Sequence, residues 1–95
     1  MLVIVKSGPD TTEGRRGVTL AQDLSADIVL LQNGVYFVQG PKLADAGFTG
    51  KTYVLEDDRL LRGLSKTADT GNIEYIDYDG LVDLMTDSDT VTGMF

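Results

Sequence analysis

Four short apolar runs, each followed by a stretch of helical character, constrain this chain more than any other feature of it. Leu2-Val3-Ile4-Val5, Ile28-Val29-Leu30-Leu31, Tyr53-Val54-Leu55 and Ile73-Glu74-Tyr75-Ile76 recur along the 95 residues. The first two are apolar at consecutive positions and carry β-branched residues, the pattern of strands covered on both faces. The fourth is interrupted by Glu74 and reads as an edge strand. Between the runs, residues 13–24 place Val18, Ala21 and Leu24 on one helical stripe, although Gly14 and Gly17 weaken its early turns. Gly34 to about Val38 begins a second helix or turn, Gly40-Pro41 interrupts it, and Leu43, Ala44 and Phe48 resume it before Gly50. Asp57 to Gly63 reads as a two-turn helix, with acidic residues in its first turn, an arginine in its last and glycine at the exit. Gly80 to Met85 closes the series as a short amphipathic helix.

Strand then helix, repeated, means a mainly parallel sheet with right-handed crossovers and helices on its faces. The expected fold is therefore α/β, a single-domain three-layer α/β/α arrangement over residues 1–95. It has four strands, with Val91-Thr92-Gly93-Met94 supplying a fifth. Ser65 to Asn72 is polar and glycine-containing and reads as a mobile loop.

The side-chain inventory removes whole classes of chemistry. The chain has no cysteine and no histidine. Disulfides, thiolate metal sites, persulfide carriage and thiol nucleophiles need the first; the usual near-neutral general base is the second. No catalytic residue, resident metal or cofactor is expected. The formal net charge is −7, of which residues 1–50 carry −1 and residues 51–95 carry −6. Such a surface repels phosphate backbones, so direct nucleic-acid binding is not expected. The acidic half could meet a basic partner, although surface charge also serves solubility alone. The opening apolar run is too short for a signal-peptide core or a membrane span, so a cytoplasmic protein without membrane contact is expected. A domain this short buries a modest share of its surface and gains by oligomerising.

In open α/β sheets ligands gather at the carboxyl ends of the strands. Here those ends are Lys6-Ser7-Gly8, Gln32-Asn33-Gly34, Glu56-Asp57-Asp58 and Asp77-Tyr78-Asp79. Strand-to-helix turns need polar caps and glycines in any such fold, so Asp57 and Asp77 also read as N-caps and Gly34 as a helix-opening residue. Gly8-Pro9-Asp10-Thr11-Thr12 follows the first strand as a phosphate loop would, but lacks both the GxxxxGK[ST] and GxGxxG spacings. Asp57 and Asp58 are the candidates for a metal ligand or base, a reading that requires several carboxylates to converge. Arg15-Arg16 reads as a solvated face or an ion pair with Glu13 or Asp23. Tyr36 and Phe37 are adjacent and on a helix point about 100° apart. One of them can therefore serve a contact between subunits while both can equally pack in the core.

Several segments, taken in order, resemble one family. Gln32-Asn33-Gly34-Val35 after an apolar strand resembles the Leu-Leu-Gln-[Asp/Asn]-Gly-Val signature of TusB/DsrH proteins. Val54-Leu55-Glu56-Asp57-Asp58 followed by Leu60-Leu61-Arg62-Gly63-Leu64 resembles the family's next block. Ile76-Asp77-Tyr78 leading into Leu81-Val82-Asp83-Leu84 resembles its last strand and helix. The resemblance implies a DsrE-like fold and a place in sulfur relay, the passing of persulfide sulfur toward tRNA wobble-uridine thiolation or sulfur oxidation. It also implies partners, namely DsrE/TusD-like and DsrF/TusC-like subunits, among which TusB-type chains act chiefly in assembly. Some DsrH-type members carry a cysteine near the first helix. Thr12 to Leu24 has none here, so a carrier role does not transfer. Gly40 to Gly50 is richer in glycine and the tail after Met85 more acidic than in the family. Gln32, Asn33, Gly34, Tyr36, Phe37, Asp57, Asp58 and Arg62 are the expected binding or interface positions. A stand-alone homo-oligomer binding a small ligand or metal at the acidic rim fits the same residues.

Overall fold

The computed structural model describes residues 1–39, 42–65, 72–93 and 95. Each apolar run is a strand: β1 (Leu2–Val5), β2 (Asp27–Leu30), β3 (Thr52–Leu55) and β4 (Ile73–Ile76), joined by a short β5 (Val91–Thr92). β1 is buried at all four positions and β2 at its last three, as consecutive apolar residues require when both sheet faces are covered. The five strands pair in the order β4-β3-β2-β1-β5, and every pair is parallel. β4 stands at an edge, where Glu74 is exposed and forms a 3.4 Å ion pair with Lys51 of β3's N-terminal flank.

α1 (Thr12–Asp23) starts at Thr11, whose hydroxyl accepts from the Gly14 N–H at 3.0 Å and donates to the Gly8 carbonyl at 2.7 Å. The two glycines that weaken its helical propensity are what let it lie close to β1 and to the loop that follows it. A Cβ on Gly14 would fall 2.2 Å from the Gly8 carbonyl oxygen, and one on Gly17 would fall 2.9 Å from the Val5 side chain. Val18 and Ala21 are buried, but Leu24, expected on the same stripe, is exposed. It is the C-cap of α1, where the chain turns through Ser25 at φ +54° and leaves the helical path.

The second helical stretch is a 3-10 helix, Gln32–Val38, and α2 (Lys42–Asp45) is a single turn, with residues 40–41 outside the described set. α3 (Glu56–Leu61) follows β3 directly, so Leu55 and not Asp57 occupies its N-cap position; Gly63 at φ +66° marks the exit. Most of the loop expected at Ser65 to Asn72 lies outside the described residues. α4 (Tyr78–Asp87) is capped by Asp77, which accepts from the Gly80 N–H at 2.8 Å, as its position after the fourth strand suggests.

The layers follow from the strand order. Three crossovers step the same way along the sheet, so right-handedness puts their helices on one face. The return from β4 to β5 crosses the whole sheet and puts α4 on the other. Val3, Val5, Ile28, Leu30 and Val54 accordingly pack with Val18 and Ala21 of α1 and Val35, Phe37 and Val38 of the 3-10 helix. On the opposite face Leu2, Val29, Leu55 and Ile76 pack against Leu81 and Leu84 of α4. The architecture is the expected three-layer α/β fold.

Candidate functional site

Because all five strands run the same way, the loops after β1, β2 and β3 meet at one end of the sheet. The tightest point of this rim lies directly after β2. Leu31 N–H donates to the Val5 carbonyl at 2.9 Å, and Gly34 N–H donates back to the Leu31 carbonyl at 2.8 Å. Gly34 then passes so close to β1 that a Cβ on it would fall 2.2 Å from the Val5 carbonyl oxygen. Between them Gln32 adopts φ +49°, a region that side-chain-bearing residues rarely occupy.

What holds Gln32 there comes from α3, 26 residues further on. The Asp58 carboxylate, buried under the rim, accepts the Gln32 N–H at 2.6 Å. Arg62 closes the same contact. Its guanidinium lies 3.9 Å from the Asp58 carboxylate, donates to the Asp58 carbonyl at 3.2 Å, and donates through Nε to Asn33 Oδ1 at 3.1 Å. Four of the positions expected from sequence, Gln32, Asn33, Asp58 and Arg62, are thus one hydrogen-bonded unit. It ties together two of the three segments that carry the family resemblance. A charge-assisted hydrogen bond to a buried carboxylate is among the stronger single contacts available to a small domain. Asp58→Ala leaves the Gln32 N–H without its acceptor and is expected to cost about 2 kcal/mol. In thermal denaturation that is a fall in midpoint of roughly 10 °C. Asp58→Asn keeps an oxygen acceptor and should recover part of it; an equal loss in both variants would locate the effect elsewhere.

The other expected positions separate. Tyr36 is half-buried and faces a cleft of about 570 Å³ that Asn33, Gln39 and Lys42 share with the Gly8-to-Thr11 loop. Phe37 is 2% exposed and belongs to the core, so its side chain is not available for the contact role that its neighbour can take. Asp57 is exposed beside Leu60 and Leu61, facing away from Asp58 and its partners. Glu56 pairs with Arg59. The acidic run Glu56-Asp57-Asp58 therefore diverges, one carboxylate going to each of three surroundings. Among the described residues no group of three acidic, histidine or cysteine side chains is placed to hold a metal ion. Arg15 donates to the Pro9 carbonyl at 3.2 Å rather than pairing with Glu13 or Asp23.

Sequence reasoning passed over Gln39 and Lys42 and set aside the Gly8-to-Thr11 loop for want of a phosphate-binding spacing. The missing signal was strand adjacency: β1 and β2 are neighbours, so the residues after each must share a wall. The cleft presents hydroxyl, phenol, amide, carboxylate and ammonium groups. It can hold a polar segment by hydrogen bonds and charge, and no cysteine exists in the chain to carry sulfur as a persulfide.

An all-parallel α/β domain with a polar, thiol-free rim at its strand ends is the class of protein that fold and site define. The family model for DsrH like protein matches residues 14–91, most of the chain. The chain belongs to the DsrH-like family, a membership that suggests a sulfur-relay protein. Among solved structures it is similar to the solution NMR structure of protein Tm0979 from Thermotoga maritima. The two are 29% identical with a TM-score of 0.62, over 97% of this chain and 98% of that one. No protein of curated function matches the sequence significantly. Among the described residues no helix is long and apolar enough to cross a membrane.

Proposed function

We propose that this chain is a non-catalytic subunit of a sulfur-relay complex, assembling in the cytoplasm with cysteine-bearing paralogues of the DsrE/TusD and DsrF/TusC kinds. The complex would pass persulfide sulfur toward tRNA wobble-uridine thiolation or toward sulfur oxidation. The observation that carries the reading is the absence of cysteine from a chain whose family suggests sulfur relay. A relay step transfers a sulfane sulfur from one thiolate to another, and the thiolate is the nucleophile in each exchange. A chain without thiols serves such a complex by shaping and holding the subunits that have them. Asn33 and Arg62 at the rim, with Tyr36 over the cleft, are the residues expected to touch a partner subunit. Aromatic and arginine side chains suit that role.

The test is co-expression with the cysteine-bearing paralogues of the same genome, followed by native mass spectrometry and loading with a radiolabelled persulfide donor. The expected result is a complex of fixed stoichiometry with label on the paralogue and none on this chain. A self-association that ignores the paralogues would overturn the reading. It would favour instead a homo-oligomer whose 570 Å³ cleft takes a small polar ligand.

A further inference from the structure

Among the described residues the second face of the sheet is covered by α4 alone, and α4 uses only part of its apolar surface doing so. Leu81 is buried and Leu84 half-buried against the sheet. Tyr78, Val82 and Met85 are 55%, 59% and 41% exposed. Their spacing, i, i+4 and i+7, puts all three on one stripe of a helix with 3.6 residues per turn. Along the far side of that stripe runs a second ridge, Asp79, Asp83 and Asp87, again at four-residue spacing and exposed.

Nothing on α4 answers these charges. The helix reads Tyr78-Asp79-Gly80-Leu81-Val82-Asp83-Leu84-Met85-Thr86-Asp87 and contains no basic residue. The three aspartates form no ion pair among the described residues. Lys51, on the same sheet face, is paired with Glu74 and lies 5.4 Å from the Tyr53 ring. Like charges four residues apart repel, and a carboxylate in the last turn opposes the helix dipole. Asp83 and Asp87 therefore cost the isolated helix stability that a cation brought from outside would restore.

We infer that α4 is a docking face for another protein whose surface has an apolar centre rimmed by lysine or arginine. The apolar stripe supplies the area and the aspartate ridge selects the partner. The same ridge repels nucleic acid and anionic bilayers. A second copy meeting α4 with its own α4 would bring more carboxylates and no cation. The inference concerns the face opposite to the cleft and holds whether or not the partner takes part in sulfur relay.

The test replaces Val82 by photoreactive benzoylphenylalanine in the chain expressed in its native cells, with the same probe at Asp23 of α1 as the control. After irradiation, the crosslinked peptide is sequenced. The expected product is one heterologous protein, joined through an apolar peptide flanked by lysine or arginine. Its yield should fall roughly tenfold in Asp83→Lys/Asp87→Lys, because opposed rim charges slow association and weaken the complex. The thermal midpoint of that variant should not fall, since both side chains are exposed. A crosslink no stronger than the Asp23 control would overturn the inference. So would a crosslink to a second copy, or one indifferent to the charge reversal.

Discussion

Gly34→Ala is expected to be the most damaging single-methyl change in the rim, lowering stability by about 3 kcal/mol or more. The added Cβ would sit 2.2 Å from the Val5 carbonyl oxygen and 2.9 Å from its carbon, both backbone atoms of a fully buried strand. A flexible side chain could swing aside; β1 cannot, because it is hydrogen-bonded to β2 on one side and β5 on the other. The 3-10 helix must instead lift away from the sheet. That strains the Gln32 N–H contact with Asp58 and the Arg62 contact with Asn33, so the rim loses its geometry together with its stability. For a domain of this size the thermal midpoint should drop by at least roughly 12 °C. Asn33→Ala, which removes an exposed side chain from the same turn, should move it by only a few degrees. Similar shifts for the two would show that the backbone approach at Gly34 is not what holds the turn.

Phe37→Ala and Tyr36→Ala should part in the opposite sense from what their adjacency suggests. Phe37 is among the largest fully buried side chains, packed with Val3, Val5, Val18, Ile28 and Val35 on the α1 side of the sheet. Truncating it removes the transfer free energy of the ring and leaves a cavity, at about 3–5 kcal/mol. Against a total stability of about 5–15 kcal/mol for ordinary domains, that removes a large share of the folding free energy and should lower the denaturation midpoint steeply. Tyr36 packs only its inner edge on the core and leaves the rest toward the cleft. Tyr36→Ala should keep the fold, with a loss near 1 kcal/mol, and act instead on association with the partner subunits. Urea denaturation followed by circular dichroism, beside a binding measurement on the folded variant, separates the two. A Phe37→Ala protein of unchanged midpoint would remove Phe37 from the core.

Much of this fold was legible because short parallel strands announce themselves. Runs such as Leu2-Val3-Ile4-Val5 are apolar on both faces only if both faces are covered, and that condition nearly dictates an α/β layer structure. Glu74 marked the edge strand because a charge on a sheet face must reach water. Asp77 marked the start of α4 because a carboxylate satisfies the free N–H groups of a helix terminus. Leu24 misled for a local reason: the stripe to which it belongs ends one residue earlier, where the chain turns through Ser25.

The candidate site was legible only in part as a set of residues, and it was illegible as an arrangement. Gln32, Asn33, Asp58 and Arg62 come together, while Gln39 and Lys42 were passed over and the Gly8-to-Thr11 loop was set aside. Nothing in Glu56-Asp57-Asp58 distinguishes the three carboxylates, yet one pairs with Arg59, one faces solvent and one is buried beneath Gln32. Their fates depend on which direction each points from the first turn of α3, and on β2 lying beside β3 so that Gln32 is within reach. The sequence by itself determined the strands, their two-sided burial, the acidic charge and the absence of any thiol or imidazole, since each follows from local composition and period. Only the tertiary structure decided that Asp58 and Arg62 join Gln32 and Asn33, that Phe37 goes inward while Tyr36 meets the cleft, and that Tyr78, Val82 and Met85 of α4 stay uncovered. Those outcomes rest on strand order and crossover handedness, which bring together residues far apart in the chain and which no local window contains.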